Sequence, residues 1–339
     1  MARVTIMDIA DALNISRNTV SKALNNADGI SEATRQKVLQ KAAEMGYKQF
    51  FSVPNRSLFL PRQPDQCEIA LLVGNSIVPP HFASLTLDKL TREATKIDFV
   101  LKMHRVESED ILSRSLPFTF HSDCVSAIIC VEMFDHAYSE MLCGLGIPIL
   151  FIDGPSKRNG FVLPADQLYM DNTTAITQFV NDMLKQGKSK IGFIGDYEHC
   201  QSFFERYSAF RCAMLLANAP VEERFCIKMN EGDSLSRTLD SLSEFPEVFI
   251  CANDFIAADA IYALQKLGKS VPGDVLVSGF DDAPISRILT PSLTTVHIHT
   301  QIMAVCAIDI LMTRIAQPEM NYRTIYTEAE LIYRDSTKI

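Results

Sequence analysis

The sequence predicts an α/β protein: a small all-helical N-terminal head, then a two-lobed core of doubly wound parallel sheets. Three observations predict it. The first fifty residues carry three short, capped helical patterns. The remainder alternates β-rich apolar runs with helical stretches, as parallel sheets covered by helices require. The chain has 339 residues, 47% of them hydrophobic and 22% charged, enough for two or three domains with ample core.

The same numbers exclude several classes. Composition rules out collagen, a disordered tail protein and a low-complexity array. The longest apolar runs, such as 147–152, are too short to span a bilayer. Met1-Ala2-Arg3-Val4-Thr5 lacks an apolar signal core, and the nine cysteines are scattered without a CxxC. A cytoplasmic chain with reduced thiols is expected. Net charge is −9, which excludes a wholly basic nucleic-acid coat. Residues 1–50, however, balance at +2 and the rest at −11, so a small basic head sits on an acidic body.

The head reads as follows. Thr5-Ile6-Met7-Asp8 is a capping box, with Asp shorter than the usual Glu. Ile6, Ile9, Ala10 and Leu13 give the first helix one apolar face. Asn14 suits a left-handed turn. Ser16 caps a second helix that buries Val20, Ala23 and Leu24; Ser31 caps a third that buries Val38, Ala42 and Met45 and ends at Gly46. Two short helices joined by a tight turn form a helix-turn-helix, whose second helix enters the major groove. Its exposed positions are Arg17, Asn18, Ser21 and Lys22. Arg and Lys can donate to guanine, and Asn can pair with adenine. Ser16, Thr19 and Asn25 suit phosphate oxygens. The same pattern also fits a three-helix cap with a polar outer face.

The residues themselves decide between these. Val4-Thr5-Ile6-x-Asp8-Ile9-Ala10, Ile15-Ser16-x-x-Thr19-Val20-Ser21-Lys22-Ala23-Leu24-Asn25, Ser31-x-x-Thr34-Arg35 and Gly46-Tyr47 closely resemble the DNA-binding head of the lactose-repressor (LacI/GalR) family. The resemblance implies that Arg17, Asn18 and Lys22 read bases, with Thr5, Ser21 and Tyr47 completing the DNA-facing set. Many members carry Arg at the position of Lys22; Lys is a point donor, so its pairing is less strictly oriented. The family's hinge helix, Asn-x-x-Ala-Arg-x-Leu, is replaced here by a linker containing Pro54 and Pro61. Leu58 or Leu60 can still act as a minor-groove wedge and Arg56 as a phosphate contact, or the linker packs on the core.

In the body, strands are predicted at 68–73, 99–103, 126–130, 148–152, 190–194, 226–228, 248–251 and 275–278. Helices are predicted at 84–96, 173–185, 203–217, 234–243 and 255–267. Ligands in such sheets sit beyond the carboxyl ends of strands. Those ends offer Asn75 with Ser76, Asp153, Asp196, Asn253 with Asp254, and Asp281 with Asp282; each is also an ordinary loop or cap residue.

The family resemblance continues through residues 201–210, Ala252-Asn253-Asp254, the segment 271–282 and Thr290-Pro291-x-Leu293. It implies a periplasmic-binding-protein-like core in which Asp153, Ser202, Arg206, Asn253 and Asp281 line an effector cleft. Arg206 would clamp hydroxyls or a carboxylate. Asn75 and Phe82, from the unusual segment 75–82, join the expected set. The protein has no tryptophan, so either Phe82, Phe204 or Phe280 supplies the apolar wall that sugar-binding members often make with one, or the ligand is not a common hexose.

The domains expected on this basis are a head at 1–48, a linker at 49–65 and a core at 66–339. Lobe one would take about 66–160 and 297–324, and lobe two about 161–296 and 325–339.

His297-x-His299 places two rings on one strand face, and His199-Cys200 stands isolated; zinc needs more ligands, so no metal is expected. No P-loop, Gly-x-Ser-x-Gly or His-Glu-x-x-His motif is present, and no cofactor is expected. The expectation is a homodimeric transcriptional regulator. It binds double-stranded operator DNA, answers a sugar-like small-molecule effector and has no membrane partner. The alternative is an α/β enzyme with an accessory DNA-binding head.

Overall fold

The computed structural model describes residues 4–24, 29–45, 68–74, 82–157, 159–229 and 234–338. Asn25, Tyr47, Arg56, Leu58, Asn75 and the rest of the expected linker lie outside the described residues, as does the side chain of Phe82.

Three helices make the head: α1 (Ile6–Leu13), α2 (Arg17–Leu24) and α3 (Glu32–Glu44). The capping box forms. Thr5 N–H donates to Asp8 Oδ2 at 2.7 Å, and Asp8 N–H donates to Thr5 Oγ1 at 3.4 Å. Asp is therefore long enough for the return bond, which is the shorter of the two. Asn14 turns the chain at φ 52°, a left-handed conformation that Asn tolerates. Ser16 Oγ accepts from Thr19 N–H at 3.0 Å, and Ser31 Oγ from Thr34 N–H at 3.2 Å. Ile9, Ala10, Val20, Ala23, Leu24, Val38, Leu39 and Ala42 close on one another as the head's own core.

The first sheet of the body is parallel and six-stranded. It contains β1 (Glu68–Gly74), β2 (Val100–Val106), β3 (Val125–Val131), β4 (Ile149–Ile152), β5 (Asp166–Met170) and β11 (Thr324–Thr327), in the order β11-β5-β4-β3-β1-β2. Helices α4 (Phe82–Thr95), α5 (Ser108–Ser113), α6 (His136–Cys143) and the late α12 (Thr300–Ala316) belong with it. The second sheet is parallel and four-stranded, with β6 (Ile191–Ile194), β7 (Cys226–Ile227), β8 (Val248–Cys251) and β9 (Leu276–Ser278) in the order β7-β6-β8-β9. It is accompanied by α7 (Thr174–Lys185), α8 (Gln201–Leu216), α9 (Leu235–Asp240), α10 (Asp254–Lys266) and α11 (Ile285–Ile288). Between the sheets β10 (Thr295–Ile298) and β12 (Ala329–Ile332) pair antiparallel.

The crossings correct the expected lobe boundaries. The first crossing falls after Met170, not near residue 160, because β5 pairs with β4 in the first sheet. The last falls after Thr327, because β11 pairs with β5. Two polar residues hide β5 in the sequence. Asp166 is nonetheless buried, where it accepts from Arg314 Nε at 2.9 Å and from Arg323 N–H at 2.8 Å. The inner strands β1, β3 and β4 are apolar on both faces, as strands covered on both sides must be, whereas the edge strands β2 and β11 are partly exposed.

Candidate functional site

The carboxyl ends of both sheets converge on one cavity of about 150 Å³. It is lined by Glu132, Phe134, Asp153 and Met170 from the first lobe, and by His199, Cys200, Phe203, Arg206, Asn253 and Asp281 from the second. Glu132 follows β3 and Asp153 follows β4; both take positive φ (53° each), which turns the chain sharply off the sheet edge. Asp281, at φ 112°, follows β9 in the same manner. Helix α8 starts at the cleft and carries Phe203 and Arg206 one turn apart on the inward face.

Arg206 is 2% exposed, and two of its three nitrogens donate hydrogen bonds within the protein. Nε donates to Asn172 Oδ1 at 2.9 Å, Nη1 donates to the Ala252 carbonyl at 2.6 Å, and Nη2 lies 3.5 Å from Asp281 Oδ1. The guanidinium stacks 3.5 Å above the Phe280 ring centroid. Arg206 thereby ties α8 to the ends of β5 and β8 and pairs with Asp281, while remaining among the residues that line the cavity.

The expectation for Ser202 is corrected. It is fully buried behind the cleft and donates to Asp153 Oδ1 at 2.7 Å, so it orients Asp153 and does not line the cavity. Asn253 does line it, with its side-chain oxygen capping α10 through Ile256 N–H at 2.9 Å. The other strand-end acids are structural. Asp196 accepts from Glu198 N–H. Asp254 accepts from Thr295 Oγ1 at 2.5 Å and from Ala283 N–H at 2.7 Å. Asp282 accepts from Arg334 and Arg287 near the strand crossing.

Three carboxyls and one guanidinium thus share the cavity. Burial, reinforced by Asp153 and Asp281, pushes Glu132 up to about 8. Burial pushes Asp281 up to about 7 against the pull of Arg206. Asp153 rises to about 6 by burial, restrained by the Ser202 hydrogen bond and Arg206. Burial lowers His199, so its ring is neutral at pH 7. The apolar wall is a row of rings: Phe134 meets His199 at 4.6 Å between centroids, and His199 meets Phe203 at 5.6 Å. Of the expected walls, Phe280 lies beneath Arg206 and Phe204 does not line the cavity.

Sequence reasoning missed Glu132, Phe134, Met170 and Phe203, and it set His199-Cys200 aside. Glu132 was within reach of the strand-end rule, because β3 runs one residue beyond the expected 126–130. Among the described residues no three His, Cys, Asp or Glu side chains gather as a metal site, and no helix is long and apolar enough to cross a membrane.

On the head, Arg17 and Asn18 are exposed, with Ser21 and Lys22 half-buried along α2. Ser16 and Thr19 hydroxyls bond to each other at 2.8 Å at the start of that helix. A helical head joined to two parallel-sheet lobes with crossing strands and a cavity of small-molecule size defines a ligand-responsive DNA-binding protein.

The comparisons carry this to a family. Residues 5–49 match the model of bacterial regulatory proteins, lacI family, and residues 180–337 match that of a periplasmic binding protein-like domain. The chain is 26% identical over 349 residues to the helix-turn-helix-type transcriptional regulator GalR of Lacticaseibacillus casei, covering 98% of this chain and 99% of the relative. The fold is shared with the transcriptional regulator CelR in complex with cellobiose (TM-score 0.69, 21% identity, 98% of this chain and 100% of that one). It is shared equally with the lac repressor dimer bound to operator and the anti-inducer ONPF (TM-score 0.68, 19% identity, 99% of each). The chain carries the DNA-binding domain of the lacI family of bacterial regulatory proteins and a periplasmic binding protein-like domain, and is a DNA-binding transcriptional regulator. That pairing of domains favours the regulator over the alternative of an enzyme with an accessory head.

Proposed function

We propose that the protein is a homodimeric repressor in the cytoplasm, whose affinity for double-stranded operator DNA is set by a small molecule bound between its lobes. Arg17, Asn18 and Lys22 read base edges. Thr5, Ser16, Thr19, Ser21, Asn25 and Tyr47 meet the backbone, and Arg56 and Leu58 reach the DNA from the linker. A dimer fits because one short head reads too few base pairs for specificity, and two-fold half-sites match a two-fold protein. The effector contacts are Asp153, Arg206, Asn253 and Asp281, with Ser202 behind Asp153.

The observation that carries this reading is the cavity itself. It is built from the strand ends of both lobes, so an occupant touches both and favours one lobe angle over another. At about 150 Å³ it suits one ring-sized molecule; a disaccharide such as the cellobiose of the CelR complex would need the lobes further apart. The test is an operator titration with and without candidate ligands, on wild type and on Asn253→Ala. A ligand that shifts operator affinity in wild type and not in the variant supports the reading. A ligand response unchanged in Asn253→Ala and in Asp153→Asn overturns it.

A further inference from the structure

We infer that the effector carries a positively charged amine, seated between the Glu132 and Asp153 carboxylates and the Phe134–Phe203 ring wall. The inference rests on the reading of the cavity as the effector site and deepens it to a ligand class.

The argument is a charge inventory of the lining. Glu132, Asp153 and Asp281 are acidic, and among the described residues that line the cavity Arg206 is the only Lys or Arg. That guanidinium is matched to Asp281 at 3.5 Å, and its Nε and Nη1 are spent on Asn172 and the Ala252 carbonyl. Asp153 has a neutral partner, the Ser202 hydroxyl at 2.7 Å. Glu132, held at the strand end by a left-handed backbone, brings a second acid to the same cavity. A buried acid without a cation is held in its neutral form, and a ligand that supplies the cation lets it ionise and pair on binding.

The rings are the independent observation. Phe134 and Phe203 come from opposite lobes and face the same cavity, with neutral His199 between them. Aromatic faces opposite carboxylates form a pairing that favours an ammonium group. An anionic sugar acid would meet three acidic side chains and a guanidinium already paired with Asp281. A neutral polyol would leave Glu132 in its protonated form and gain no ion pair from it. Asn253, both donor and acceptor, remains for hydroxyls on the same ligand.

The experiment uses matched sets differing only in charge: glucose, glucosamine and glucuronate, then galactose, galactosamine and galacturonate. Each is titrated by calorimetry against the full-length protein at pH 7. In at least one set the amine should bind about tenfold or more tightly than its neutral partner, and the acid should bind weakest. In Glu132→Gln, an isosteric change whose folding is checked by its melting curve, the amine preference should fall to about threefold or less. Preference for the neutral or acidic member, no binding by either amine, or an amine preference undiminished in Glu132→Gln overturns the inference. These failures differ from failure of the cleft reading. The latter would appear as a ligand of any charge whose binding is unmoved by both Asp153→Asn and Asn253→Ala.

Discussion

Asp281 and Asp282 are joined by one peptide bond, both at positive φ (112° and 48°), and their carboxylates serve different environments. Asp281 lines the cleft opposite Arg206. Asp282, with its side chain 1% exposed, accepts from Arg334 Nη2 at 2.5 Å and from Arg287 Nη2 at 2.7 Å, and lies 3.0 Å from His297 Nδ1 on the crossing strand β10.

The Asp282 cluster makes stability acid-sensitive. Its arginine partners and His297 overcome burial and hold the carboxyl down at about 2. A depressed carboxyl stabilises the fold above its unfolded value near 4, and that contribution is lost as pH falls from about 4 to 2. Asp282→Asn should cost about 1–3 kcal/mol at pH 7, because it removes the charged acceptor shared by half-buried Arg334 and exposed Arg287, and should flatten the acid limb. Urea midpoints measured from pH 2 to pH 7 check both.

The cleft acids act with the opposite sign. Glu132 is raised to about 8, so its neutral form is favoured in the folded state. Its contribution is complete below the unfolded value near 4.5 and is lost as pH rises toward 8. Without ligand, Glu132→Gln should match wild type at pH 5 and exceed it by about 1–2 kcal/mol at pH 9. Melting curves at the two pH values decide it; equal stabilities at pH 9 would contradict the charge crowding.

Gly279 is required by close approach. A Cβ there would stand 2.3 Å from Asp254 Oδ1 and 3.1 Å from Asp254 Cα, at the start of α10. Asp254 cannot retreat without losing its bonds to Thr295 and Ala283. Gly279→Ala should lower stability by about 1–3 kcal/mol and weaken ligand-induced stabilisation. Calorimetric melting with and without ligand measures both; an unchanged melting temperature would refute the steric argument.

For the head, Arg17→Ala or Asn18→Ala should cost about 1–3 kcal/mol and relax base preference at particular operator positions. Thr19→Ala should weaken binding with little change in preference, since Thr19 sits at the helix start with Ser16. Selection from a randomised operator library is the measurement. One consensus returned by all three variants would reject the assignment.

Much of this was legible in the sequence because it is local. The capping box at Thr5, the left-handed Asn14 and the serine caps at Ser16 and Ser31 each act within one helical turn, so spacing alone reveals them. All eight predicted strands and five predicted helices of the body exist within a few residues of their expected bounds. What went unread was non-local. Helix α12 is apolar nearly all round because it packs against α4, β4 and β5, which erases the amphipathic period. Strand β5 opens on Asp166 and Gln167, polar residues that only buried arginine partners make tolerable.

By itself, then, the sequence determined the head, the alternation that makes parallel sheets, and the strand-end positions of Asp153, Asn253 and Asp281. Tertiary structure alone decided what those positions do. It placed Ser202 behind Asp153, tied Arg206 to Asn172, Ala252 and Asp281, and brought Glu132 to the same cavity as Asp153 and Asp281. The reason is physical: a hydrogen bond within a turn is fixed by spacing along the chain. The charge balance of a cavity depends on which side chains, dozens of residues apart, folding removes from water together.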